Sequence, residues 1–131
     1  MNQAVAPFLM FEGAAEEAVT FYMATIPNSR LVEIRRYGPE GPGKEGTVIL
    51  GRAIIGGMEV LFSDSFVRHQ FTFTPSISLF VTCETDEEIE RVLGALGEGG
   101  QTLMPLGEYG FSRRFGWVND RFGVSWQVNL P

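Results

Sequence analysis

The stretch "FGWVNDRFGVSWQV", residues 115–128, gathers two Trp, two Phe, an Asn–Asp pair and a Gln into one short segment. Aromatic rings and a side-chain amide are what a pocket for a small organic molecule uses: apolar area to bury, and a few polar groups to orient the guest. Trp117 reads either as such an aromatic wall or as core, and Gln127 as an inward polar contact. The "NDRFG" between them reads as a turn, with Asn119 and Asp120 supplying turn hydrogen bonds and Gly123 backbone freedom. Asp64 closes an apolar run, and two readings stay open for it: a contact to ligand or water, or ordinary turn chemistry. Arg113 and Arg114 are neighbours on a strand and so point to opposite faces. At most one, Arg114, serves as an anion contact, the other reading being a solvated or ion-paired face.

The sole histidine, His69 in "VRHQFTFTP", lies in a connection and has no visible partner that would make it a general base. Cys83, at a strand end with no histidine nearby, reads as a buried inert thiol rather than a nucleophile. No catalytic residue is assigned.

The elements that position these residues come from a chain of 131 residues, the size of one ordinary domain. A hydrophobic share of 44% with 20% charged residues describes a folded globular protein. The net charge of -6 and the lack of basic clusters argue against nucleic-acid and anionic-membrane partners, which are held by clustered Lys and Arg. One cysteine forms no internal disulfide, and no zinc-ligand spacing is present. The apolar "AVAPFLMF" lacks a charged flank and is too short for a signal or a span. The expected location is the cytoplasm.

Residues 5–11 read as a strand ending at Glu12–Gly13, and "AAEEAVTFYMATIP" as a helix closed by Pro27. Three strands follow, at 29–37, 46–55 and 58–64. The second half repeats that order: a strand at 76–83, a helix in "TDEEIERVLGAL", and strands near 101–107, 113–119 and 123–129. Thr85 and Glu88 form a capping box for this helix, and Gly97, Gly99 and Gly100 stop it. "AEEAVTFY" (15–22) lies 71 positions before "DEEIERVL" (86–93), so the chain reads as a duplicated βαβββ unit, an α+β fold with modules at about 1–66 and 75–131.

A unit that cannot bury its own sheet face predicts that the two pair around a shared cleft with helices outside. Strand alternation then sends Leu79, Val81, Trp126 and Val128 to the helix side, leaving Ser78, Phe80, Thr82, Ser125, Gln127 and Asn129 facing inward. The same alternation sends Phe8 and Met10 to the helix side, with Pro7, Leu9 and Phe11 inward. The segments 38–46 and 104–112 are candidate cleft rims, and neither carries a phosphate-loop pattern.

"PFLMFEGAAEEAVTFY", "SISLFVTCETDEEIERV" and "FGWVNDRFGVSWQV" resemble the PhnB-like family of the glyoxalase, bleomycin-resistance and dioxygenase (vicinal oxygen chelate) superfamily. Sequences of this family commonly carry the label 3-demethylubiquinone-9 3-methyltransferase. The resemblance covers nearly the whole chain and implies paired βαβββ modules, usually dimeric.

It also implies a question about metal, because enzymes of the superfamily hold a divalent ion with His, Gln or Glu from strands one, four, five and eight. Those positions fall on Pro7, near Phe62 to Asp64, on Ser78 or Ser76, and on Gln127. Only Asp64 and Gln127 are reasonable ligands, so no metal site and no cofactor are predicted. The methyltransferase label sits poorly with "FEGAAEEA", whose single glycine is not a dinucleotide-type turn.

The expectation is therefore a homodimeric protein that binds a small organic ligand through Leu9, Phe11, Asp64, Ser78, Phe80, Arg114, Trp117 and Gln127. A divalent-metal-dependent lyase or dioxygenase is the alternative, and the methyltransferase of the family label comes third.

Overall fold

The computed structural model of the chain describes residues 3–131, so the first two residues of the expected first module lie outside it. Ten elements follow the predicted order: β1 (Phe8–Phe11), α1 (Ala15–Thr25), β2 (Arg30–Arg36), β3 (Val48–Ile55), β4 (Met58–Asp64), β5 (Leu79–Thr82), α2 (Asp86–Gly97), β6 (Gln101–Gly107), β7 (Arg114–Asn119) and β8 (Ser125–Leu130). They form two compact units, one ending at Gln70 and the other spanning Phe71–Pro131. Each has βαβββ order, which makes the fold α+β. No helix among the described residues is long and apolar enough to cross a membrane.

In the first unit the sheet order is β1-β4-β3-β2, with β1 parallel to β4 and the other pairs antiparallel. Helix α1 packs on β3 and β4, burying Ala15, Ala18, Val19 and Tyr22. Its N-cap residue, Ala14, has no side chain that could accept the free N–H groups of the first turn. Asp64 at the end of β4 does so instead. Its Oδ1 accepts from the backbone N–H of Gly13 at 2.8 Å and of Ala15 at 3.0 Å, while Oδ2 accepts from Val48 N–H at 2.9 Å. One buried carboxylate thus ties helix start, β3 start and β4 end together.

The second unit repeats the arrangement as β5-β8-β7-β6. Helix α2 is capped locally, as its sequence predicts: Thr85 Oγ1 accepts from Glu88 N–H, and Glu88 Oε1 accepts from Glu84 N–H. The side covered by α2 is marked by Gly116 in β7, where an added Cβ would lie 2.3 Å from Leu93 Cδ2 of the helix. That face carries Val118, Trp126, Val128 and Leu130, all buried. In the first unit the equivalent close approach is at Gly51, whose missing side chain leaves room for the Phe62 ring.

Strand alternation as read from the sequence holds in the second unit and is reversed in β1. Leu9 and Phe11 are buried and stand beside Phe62 and Asp64 in parallel register, on the face that α1 covers. Phe8, at 56% exposure, and Met10 occupy the opposite face. All four residues of β1 are apolar, so its sequence contains no phase. The repeat does not provide it either: Phe8 faces away from its helix, whereas Leu79, 71 positions on, pairs with the helix-facing Trp126.

Candidate functional site

The candidate site is the face of the second sheet turned away from α2. Cross-strand pairing builds it in rows, because residues directly opposite each other share a face. Thr82, Asn129 and Phe115 stand side by side, followed by Phe80, Gln127 and Trp117. Ser78, just before β5, then joins Ser125 and Asn119. Four of the eight residues expected to bind a ligand, Ser78, Phe80, Trp117 and Gln127, therefore come together here.

The polar members form one hydrogen-bonded string. Trp117 Nε1–H donates to Ser125 Oγ at 2.8 Å, the two serine hydroxyls meet at 2.7 Å, and Gln127 Nε2 donates to Ser78 Oγ at 3.2 Å. A hydroxyl has one proton and two lone pairs. Whichever serine donates to the other, one hydroxyl proton remains for a further partner. Every group in the string is neutral, and none is a base able to take a serine proton at neutral pH, so the arrangement offers hydrogen bonds without activating a nucleophile.

Beside the string lies an aromatic cluster. Phe80 is 58% exposed and Phe111 63%, with the buried Phe115 between them at ring-centroid distances of 6.5 and 5.0 Å. Tyr109 packs edge-on against Phe115 and parallel to Phe111, and its hydroxyl donates to Pro105 O. Tyr109 and Phe111 belong to the segment expected as a rim. Phe115, Ser125 and Asn129 complete the face, and the alternation of β8 already pointed to Ser125 and Asn129. Phe115 carried no such signal, because its phase follows from Gly116 fitting under Leu93.

The other expected ligand contacts lie elsewhere. Leu9 and Phe11 are core beneath α1. Asp64 is 5% exposed and already accepts three backbone hydrogen bonds, so it acts as a structural clamp. Arg114 is on the α2 side of β7, where its Nη1 reaches Asp86 Oδ1 at 3.0 Å and Glu90 Oε2 at 2.7 Å. Those carboxylates hold the guanidinium pKa above its ordinary value through hydrogen bonds, Glu90 first and Asp86 second. Its ion-paired reading is the observed one, and Arg36 repeats it in the first unit with Glu16 of α1.

His69 Nε2 lies 2.9 Å from Ser65 Oγ, which also engages both backbone groups of Val67 in a local turn. Cys83 is buried, and desolvation, with the charge of Glu88 adding to it, pushes its thiol up to about 11. Asp120 is more than a turn residue: its Oδ1 accepts from Phe122 and Val124 N–H and its Oδ2 from the Trp126 indole N–H at 2.8 Å, all at 3% exposure.

The side chains offered as metal ligands by the resemblance do not assemble a donor set. Asp64 is consumed by backbone, while Ser78 and Gln127 are neutral and bonded to each other. Among the described residues no three His, Cys, Asp or Glu side chains gather where one ion could hold them. Such an ion needs several carboxylate or imidazole donors together, so these residues do not fit one.

Two four-stranded mixed sheets, each with one helix, are the architecture of the glyoxalase and bleomycin-resistance fold. A glyoxylase/bleomycin resistance protein/dioxygenase domain from Frankia sp. EAN1pec shares it, at 12% identity and TM-score 0.67 over 99% of this chain and 98% of that one. Within that class, the chain belongs to the family described as 3-demethylubiquinone-9 3-methyltransferase, whose model matches residues 3–129. It is 54% identical to a PhnB protein from Bacillus cereus, covering 98% of this chain and 100% of that structure, with a TM-score of 0.96. It is also 25% identical to Protein YjdN of Escherichia coli (strain K12), covering 96% of this chain and 94% of YjdN.

Proposed function

We propose that this protein binds a small organic molecule on the open face of its second sheet, without a divalent metal and without covalent chemistry. The observation that carries the reading is the neutral string Gln127–Ser78–Ser125–Trp117 set beside the exposed ring of Phe80. Apolar area offers binding energy and the string offers orientation, a combination typical of small-molecule sites. Its lack of a base and of an ionised ligand separates it from hydrolytic and metal-assisted catalysis. The reading includes a homodimer, as the family resemblance implies, located in the cytoplasm.

The test is a fragment screen by heteronuclear NMR, with S-adenosylmethionine included, run beside elemental analysis of protein incubated with Mn, Fe, Ni or Zn and desalted. Saturable shifts at Phe80, Trp117 and Gln127, with no retained metal, are expected. One metal per chain or per dimer refutes the metal-free reading. S-adenosylmethionine on this face would favour the activity in the family's description. Sedimentation velocity checks the dimer.

A further inference from the structure

We infer that the first unit carries a small-molecule site of its own, a cavity of about 540 Å³ beyond the ends of β1 and β4 that takes a zwitterionic amino acid with an apolar side chain. Its lining residues all belong to that unit, so it stands or falls apart from the open face of the second sheet.

The topology creates the cavity. β1 and β4 run parallel, so their C-terminal ends and the segments that follow lie at one edge of the sheet, where crevices form. Glu12 leaves β1 there, residues 65–68 leave β4, and Lys44 and Thr47 enter from the connection before β3. Local bonds set these walls in advance. Ser65 Oγ engages both backbone groups of Val67, Thr47 Oγ1 donates to Lys44 O at 2.6 Å, and Tyr37 holds the Phe66 ring edge-on at a centroid distance of 6.2 Å. The volume falls within the roughly 300–1,000 Å³ of small-molecule sites.

The lining carries both signs of charge. Lys44 and Arg68 are in the wall, and among the described residues neither has a carboxylate within ion-pair distance. Glu12 is in the same wall. Its Oε2 accepts the backbone N–H of His69 at 3.2 Å, which leaves Oε1 for a guest. The charge of Asp64 is already met by three backbone N–H groups. A lone anion would lie beside the Glu12 carboxylate and a lone cation beside Lys44 and Arg68, with a repulsion that grows as water is excluded. A molecule bearing both charges avoids either conflict: Lys44 and Arg68 receive its carboxylate, and Glu12 its ammonium group.

The apolar part has a surface to meet as well. Phe66 is 59% exposed and Val67 52%, two large apolar side chains left uncovered in the wall that holds the charges. A side chain laid against them removes apolar area of both partners from water.

Phenylalanine and two derivatives separate the charges, because N-acetylphenylalanine lacks the ammonium and phenylalaninamide lacks the carboxylate. Titrated into the wild-type chain and followed by heteronuclear NMR, phenylalanine is expected to saturate shifts at the backbone amides of Gly13, Thr47 and Val67. Each derivative is expected to bind there about tenfold more weakly. Glu12→Gln keeps an acceptor for the His69 N–H, and should weaken phenylalanine about tenfold without weakening N-acetylphenylalanine. Lys44→Gln combined with Arg68→Gln should weaken phenylalanine without weakening phenylalaninamide. All three positions are exposed, so the variants are expected to fold.

No saturable shift with phenylalanine at these amides overturns the site. If N-acetylphenylalanine binds as tightly as phenylalanine, the cavity is an anion site; if phenylalaninamide does, it is a cation site; either result overturns the zwitterion. Shifts confined to the second unit would give phenylalanine to the open sheet face, which supports the proposed function and overturns this site.

Discussion

Removing the Asp64 carboxylate tests whether this residue is a clamp or a ligand contact. It is 5% exposed and receives three backbone N–H groups, from Gly13, Ala15 and Val48, at 2.8–3.0 Å. Hydrogen bonds to a charged group contribute about 1.5–3 kcal/mol each, and a buried donor left unsatisfied costs a similar amount. In Asp64→Ala all three lose their acceptor. Allowing for relaxation and water entry, a loss of about 3–6 kcal/mol follows, a large part of the roughly 5–15 kcal/mol that holds a domain folded.

Asp64→Asn is the finer probe. Its carbonyl oxygen can keep Gly13 and Ala15, but its NH₂ then confronts the Val48 N–H, donor against donor, at a cost of about 2–3 kcal/mol. With a urea slope of about 1–3 kcal/mol/M, the midpoint falls by about 0.7–3 M. Both tryptophans lie in the second unit, so unfolding is followed by far-ultraviolet circular dichroism. An Asp64→Ala chain within about 1 kcal/mol of wild type would refute the clamp. A ligand contact would give the inverse pattern, with stability kept and binding lost.

Other outcomes follow from the same reasoning. Asp120→Ala should cost about 2–4 kcal/mol by orphaning the Trp126 indole and two backbone donors, with a change in native tryptophan emission; an unchanged urea midpoint would count against it. Gly116→Ala drives a Cβ to 2.3 Å from Leu93 Cδ2 and should destabilise by about 1–3 kcal/mol, whereas Gly94→Ala in α2, with open space around it, should stabilise by about 0.5–1 kcal/mol. Opposite signs in urea titrations are the check. Cys83 should resist a thiol reagent at pH 8 until the chain unfolds. Its folded pKa is raised from 9.0 to about 11, so the unfolded chain loses the thiol proton first and stability falls as pH rises from 9 towards 11. Urea midpoints of wild type and Cys83→Ala across that range should diverge, and parallel curves would contradict the shift.

What the sequence determined by itself was order and kind. Period-two apolar runs, the Thr85–Glu88 box and the glycine and proline punctuation locate all ten elements, because those signals act through neighbours a few residues apart. β5 and β8 alternate polar with apolar, so their phase was legible, and with it Ser78, Phe80 and Gln127. Only tertiary structure decided the rest. β1 is apolar at every position, so the packing of α1, rather than any local preference, turns Leu9 and Phe11 into core. Asp64 and Asp120 look like turn residues in a line of text. They become clamps because folding brings to them backbone donors up to 51 residues away, for Asp64, and an indole N–H six residues on, for Asp120. Arg114 chose its face through Gly116, whose missing side chain admits Leu93 and so fixes which side of β7 the helix covers. The face that binds, in the function proposed for this protein, is the one that α2 leaves uncovered.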